Sequence, residues 1–564
     1  MRKIWCGINW LTVLLLLLAA GCSQSHYRKS ADKQVYGLIG ETEKDILGNT
    51  NAFSIDTRFT GRKPEDIPGS EIVSERLQSG RRKINVADAL KIALQNNRTY
   101  QSRKEQLYLS ALRLTAEQHR FQPSLFGNAT ANAERFSDGT YNRRLVSAFG
   151  VDQALKTGAD IGISVANDVV SYYSGKGSYS SFSILSATIS QPLLRGAGAA
   201  VAAENLTQAD RDLVYEVRGF AHYQNSFAVD IVTAYFRLLG QRDTVRNEYN
   251  NYLNLITSRE RAEALAFDRQ PAFQADQARQ DELRAKSRYV IAVDNYQRSV
   301  DSFKLQLALP LGVEIALDDS ALEDLKKTGL VAVPLDETEG YELAVKKRLD
   351  LINEIDRFED SKRKIKVAAD GLKATLNVFA NASLNSDNPD YSKFDFNNWR
   401  GGVGLRLNLP LDRLNERNIY RTSFINFERQ IRSLAIFLDD TRNEIRQDLR
   451  TLQQSRQNYD IQTISAELAE RRVESATLLL QAGRAQIRDQ LEAQSALLQA
   501  RNAVTALLVD YNVARLALLL DLGLLQTDVD QFWVKDFQVP TKLAAQPALG
   551  ARDEVIPPDK LFGN

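Results

Sequence analysis

Methionine, cysteine and histidine are scarce in this 564-residue chain: one Met, two Cys and three His. The only methionine is Met1, so a methionine relay for soft metals such as Cu(I) is not available along the chain. Both cysteines, Cys6 and Cys22, fall at the extreme N-terminus, which leaves the rest without a disulfide, a thiol nucleophile or a thiolate metal site. His26, His119 and His222 are far apart and show neither H-x-x-H nor H-E-x-x-H spacing. There is no G-x-x-x-x-G-K-[ST] loop and no G-x-S-x-G elbow, and the glycines of LLRGAGAAV at 193–201 lack the spacing of a dinucleotide fingerprint. An enzyme would need a catalytic constellation, and none is found. Excess charge is also missing. With 72 Lys plus Arg against 71 Asp plus Glu, nothing is left over to neutralise phosphates, and nucleic acid is not an expected partner.

The N-terminus decides which solvent the rest of the chain meets. Arg2 and Lys3 precede an apolar run from Leu11 to Leu18, closed by Ala19, Ala20 and Gly21 directly before Cys22. This is the pattern of a secretory signal peptide, too short for a comfortable transmembrane helix of roughly 20 apolar residues. LAAGC resembles a bacterial lipobox, which implies that Cys22 carries an N-terminal lipid anchor; Ser23 in the next position implies sorting to the outer membrane. The alternative is an ordinary signal peptide with an incidental cysteine. Nothing after the leader reads as apolar enough for a transmembrane helix, so a membrane-crossing mature chain must do so as a β-barrel.

Residues 27–83 are polar and punctuated by Gly and Pro, which predicts an extended linker. A helical pattern starts at Asn85, a candidate N-cap, and runs to Arg120 before Pro123 ends it. Between 124 and 194 the period becomes two, as in LFGNATANAERF, GADIGISVAND and SFSILSATIS, so strands are expected. Alternation alone suits either a membrane barrel or a soluble sandwich. Phe126, Phe136, Tyr141, Tyr172, Tyr173, Tyr179 and Phe182 lie near strand ends, where an interfacial girdle would need aromatics, though a soluble core would use them equally well. After Pro192 the apolar spacing turns to three, four and seven, through Leu213, Val217, Phe220, Phe227 and Ile231. The ~65 residues before a break at 268–271 correspond to a rod of about 100 Å, which is no globular core. A second helical stretch stops at Pro310-Leu311-Gly312.

The same order then recurs. GYELAVKKRLDL from Gly340 echoes VADALKIALQNN, ATLNVFANASLN from Ala374 echoes the first strand, and Pro410 stands where Pro192 stood. A second long helix follows, with Ile431, Leu434, Leu438 and Ile445 on one stripe, a break at Gly483, and a stop at 521–523 matching 310–312. The two modules span 85–312 (strands 123–193, hairpin 199–309) and 340–525 (strands 374–411, hairpin 413–522), with a tail at 526–564.

Those residues resemble the TolC family of outer-membrane channel proteins across most of the chain after the leader. The most specific part is LLLQAGRAQIRDQLEAQSALLQARN at 478–502, which is similar to the family's hairpin tip. The resemblance implies a mixed α+β membrane protein: a homotrimer with a short β-barrel in the outer membrane of a Gram-negative cell and a long coiled-coil tunnel in the periplasm. Its implied role is the passive exit duct of a tripartite efflux or type I secretion system, without cofactor, opened by a periplasmic adaptor and an inner-membrane pump of the RND, ABC or MFS class. On the family pattern Asp489 and Glu492 line the periplasmic gate, where three copies of each would repel and favour cations. The alternative is that both sit on a solvated helix face. Asp268, Arg269, Gly483 and Arg484 mark the two hairpin tips that the adaptor would grip.

The pattern has departures. Leu480 and Ala485 stand where the family's best-known member carries a tyrosine and an arginine of a locking network; Asp268 replaces the first tip glycine and Gln274 an acidic residue. An extra alternating pair, SAFGVDQAL and GADIGISVAND, gives the first module four strands against two. It either widens the barrel from 12 to 18 strands or projects above it. A coiled-coil lipoprotein tether without a pore is the other function compatible with the anchor and long helices, but it leaves the duplicated strands unexplained.

Overall fold

The computed structural model describes residues 23–48, 53–137, 139–172, 179–267, 271–387, 393–527 and 531–533. Cys22, Asp268, Arg269 and Tyr173 lie outside the described residues. The chain divides into two compact units, one of residues 1–56, 104–218 and 353–436, the other of 57–103, 219–352 and 437–564.

The second unit carries β1 (Gly80–Ile84) and β6 (Val313–Leu317), and the first unit carries six strands: β2 (Ser124–Arg135), β3 (Tyr141–Ala154), β4 (Asp160–Tyr172), β5 (Tyr179–Pro192), β7 (Thr375–Ser386) and β8 (Phe394–Asn408). They form one antiparallel sheet in the order β2-β3-β4-β5-β7-β8. Four strands come from the first module and two from the second, as the alternation predicts. Pro192 pairs with Asn377 across the whole first helical hairpin.

The expected linker departs from the sequence reading, because its first half is the helix α1 (Gln24–Leu47). Val35, Ile39 and Glu43 are its buried stripe, spaced four apart on one face. Tyr108 donates to Asp32 at 2.8 Å and its ring meets Tyr36 edge-on, fixing the helix to this unit. Burial and the Asp32 carboxylate both push the Tyr108 phenol upward. Gly37 and Gly40 hid the helix, since both lower intrinsic propensity without breaking the pattern.

In the second unit, after α2 (Gly69–Arg76), α3 (Val86–Asn96) starts where expected, with the Asn85 side chain accepting from Asp88 N–H at 2.7 Å. Asn97 then interrupts the predicted continuous helix, in an extended conformation, before α4 (Arg98–His119). After α7 (Ser320–Thr328) the second module repeats this: α8 (Glu337–Lys347), an extended Arg348, then α9 (Leu349–Gly371). Strand β1 (Gly80–Ile84) pairs in parallel with β6 (Val313–Leu317), and Tyr235 donates to the Ile84 carbonyl at 2.9 Å.

The helical hairpins are α5 (Glu204–Ala266) with α6 (Ala272–Gln306), and α10 (Leu414–Gln481) with α11 (Ile487–Asp521). The expectation that no helix after the leader is apolar enough to cross a membrane needs correction: α11 passes by length and composition. Half of its apolar window is buried, and Leu508, Val509, Leu516 and Leu519 belong to the main core of the unit. The same core takes in Phe532 and Trp533, so the beginning of the predicted tail is packed.

Candidate functional site

The sheet has two chemically opposite faces. Register pairs place Leu125, Phe149, Val165, Leu185, Leu384 and Trp399 on one face and Asn128, Arg144, Asp152, Asp168, Asn381 and Arg406 on the other. Among the described residues much of the apolar face is open, with Leu125 84% exposed, Trp399 66% and Val403 80%, while Leu384, Ser181 and Ser183 on the same face are buried. An open apolar face of this extent is what a lipid-facing surface requires and what water penalises. On the polar face Arg144 and Asp168 form an ion pair at 2.5 Å.

Glycines lie beneath aromatic rings on both faces. Phe149 lies over its partner Gly127, Phe126 over Gly150, and Phe379 over Gly404, each so close that a Cβ on the glycine would strike the ring. The girdle expectation is corrected here, since Phe126 and Phe182 fall on the polar face by register. Tyr141 lies on the apolar face, and Phe136 sits in the β2–β3 turn. Sequence position near a strand end could not tell these apart, because one residue of register moves a side chain to the opposite face.

At the second hairpin tip, α10 ends in a Schellman motif. Gly483 takes a left-handed φ of 72°, its N–H donates to Leu480 and the Arg484 N–H donates to Leu479. Asp489 and Gln486 form a capping box at the start of α11, with the Gln486 N–H donating to Asp489 Oδ2 at 3.0 Å. Glu492, one turn on, is exposed and pairs with Arg472 at 2.9 Å. The structure therefore puts both predicted gate carboxylates at one helix start, with Asp489 partly committed to holding that start. Gly483 and Arg484 are exposed at the turn. Leu480 and Ala485 join a tip cluster with Leu255, Ala278, Ile487 and Leu491, an apolar contact at the two positions where the family pattern is polar.

A charged cluster that the sequence reading missed lies at Arg348. Its buried guanidinium meets Asp350 at 2.9 Å, Glu444 at 2.6 Å and Asp521 at 3.7 Å, over the Phe437 ring. Burial opposes its charge, but the carboxylates outweigh that and raise its pKa. Asp448 faces Asp521 in the same cluster, and burial plus that neighbour push the Asp448 carboxyl up to about 7. Asp448 Oδ2 is buried with no hydrogen-bond donor among the described residues, and burial beside Asp521 disfavours the charged form of this carboxyl. Arg348 lies between α8 and α9 and the carboxylates lie on α9, α10 and α11, so only the fold brings them together.

The six-stranded sheet and the long helical hairpins make up a fold shared with solved outer-membrane channel proteins. Among solved structures the chain is similar to the outer membrane protein VceC from Vibrio cholerae (14% identity, TM-score 0.57, covering 78% of this chain and 96% of that one). It is likewise similar to the Campylobacter jejuni CmeC outer membrane channel (14%, 0.56, 78% and 85%) and to the open state of the Neisseria gonorrhoeae MtrE outer membrane channel (13%, 0.54, 78% and 89%). No protein-family model matches the sequence, and no curated protein matches it.

Proposed function

We propose that this protein is the outer-membrane exit duct of a tripartite efflux or type I secretion system, acting as a homotrimer anchored by lipid on Cys22. The observation that carries this reading is the two-faced sheet. A sheet with one open apolar face and one polar face suits a barrel wall between lipid and a water-filled lumen. Among the described residues, neither β2 nor β8 has a second neighbour. Unpaired strand edges are untenable in lipid, so further copies have to close the ring. The helical hairpins then supply the periplasmic tunnel. A periplasmic adaptor would hold the tips at 268–274 and 481–488, Asp489 and Glu492 would form the gate, and an inner-membrane RND, ABC or MFS pump would supply the energy.

The test is single-channel recording of the purified full-length protein in a planar bilayer, alongside incorporation of labelled palmitate in cells. Discrete conductance steps and a label lost in Cys22→Ser are expected. A folded, membrane-inserted oligomer that never conducts would replace the duct with a tether, and an unlabelled wild type would remove the anchor.

A further inference from the structure

We infer that the additional β3–β4 hairpin is part of the membrane wall, so that the trimer closes an 18-stranded ring in which β8 of each copy pairs with β2 of the next. The inference rests on the channel reading and fixes the bore of the outlet. The carrying observation is that β2 and β5 do not touch through the sheet ladder: β3 and β4 lie between them, paired along their length. Twelve residue pairs join β2 to β3, thirteen join β3 to β4 and twelve join β4 to β5. A hairpin projecting above the barrel would leave β2 to pair directly with β5.

The side chains of the hairpin agree with its pairing. Leu145, Phe149 and Ile163 are exposed on the apolar face, at 46%, 38% and 51%. Their face is continuous with that of Ala187, Ala382 and Val403 on β5, β7 and β8. On the other side, Arg144 and Asp168 pair with each other on the polar face, where a lumen would hydrate them. A hairpin standing in water would have no use for a one-sided apolar surface of this kind.

Strand parity also fits. Inserting two strands preserves antiparallel alternation, so β8 of one copy runs antiparallel to β2 of the next and the ring closes without a parallel seam. Barrel diameter grows roughly linearly with strand number, so 18 strands give an outlet about half as wide again as 12. Such a barrel leaves an aqueous channel, and the size limit on hydrophilic cargo would then lie elsewhere along the path.

The experiment uses single-cysteine variants of the full-length protein in liposomes, read by labelling with a membrane-impermeant maleimide and by quenching of an attached fluorophore with brominated lipid. Val165→Cys and Ala166→Cys report on β4, while Ala382→Cys and Ser383→Cys report on β7. Lipid quenching at 165 and 382 with maleimide labelling at 166 and 383 is the expected result. If β7 alternates but both β4 positions label without quenching, the hairpin projects and the inference is overturned while the channel reading stands. If β7 fails to alternate, the channel reading itself falls. A second readout needs no substitution: the diameter of the membrane-embedded ring in projection images of wild-type protein. A ring of 12-strand width would overturn the inference.

Discussion

Ala308 and Gly523 hold the same left-handed position at the ends of the two helical hairpins, with φ of 55° and 68°. In each module the residue after the C-cap donates to the carbonyl three back, and the next donates to the carbonyl five back: Ala308 to Leu305 and Leu309 to Lys304, Gly523 to Leu520 and Leu524 to Leu519. The structural repeat therefore aligns 308 with 523, whereas the sequence reading matched Gly312 to Gly523. The error has a physical source. Glycine is the usual residue for this cap, and alanine fills it here at the expense of a strained backbone.

Ala308→Gly is expected to stabilise the protein by about 1 kcal/mol, the left-handed penalty being partly offset by the greater freedom of glycine in the unfolded chain. Gly523→Ala should cost more than the reverse change gains, because its Cβ would meet the backbone of Lys347 and Arg348 at 2.7 to 2.8 Å. Chemical unfolding of the detergent-solubilised protein would measure both. Equal and opposite shifts would count against the steric argument at 523.

Asp448 predicts a pH dependence of stability. Its carboxyl sits at about 7 in the fold against an ordinary value of 3.8, so folding favours the protonated form. The stabilising contribution is complete below about pH 4 and disappears as the pH rises through about 7. Asp521, Glu444 and Arg348 are the groups that face it, and His222 acts on Asp521. A thermal midpoint that falls between about pH 5 and pH 8 is expected, with the slope reduced in Asp448→Asn, whose amide is neutral throughout. Parallel curves for wild type and variant would place the titration elsewhere.

The tip carboxylates should separate in their effects. Glu492 and Arg472 are 64% and 53% exposed, so Glu492→Gln should leave the thermal midpoint nearly unchanged, within about 1 kcal/mol of stability. Asp489→Ala removes a capping-box acceptor and should cost about 1 kcal/mol. Both should raise single-channel conductance if three copies of each carboxylate ring the entrance. A conductance unchanged by either would leave Asp489 as a cap and Glu492 as a surface ion pair.

Much of this architecture is legible from periodicity. Apolar alternation in 124–194 and 374–411 locates the six strands, because one face of each was selected against water. The three-and-four spacing after Pro192 and Pro410 gives both hairpins, and Asn85 caps the helix it was expected to cap. What escaped the sequence was register and convergence. Phe126 and Phe182 needed strand pairing to be assigned a face, and α1 presented too few apolar residues to be seen. The Arg348 cluster draws its acids from positions that become neighbours only in the fold.

The open edges at β2 and β8 also bear on biogenesis. If the sheet is a barrel wall, a single copy cannot bury it in a bilayer, because two rows of backbone groups would enter lipid unpaired. Pro192 and Asn377 pair only after the first hairpin has been delivered, so even the single-chain sheet forms late. On the proposed channel reading, membrane insertion is thereby coupled to meeting other copies, because a lone copy offers a bilayer no closed ring.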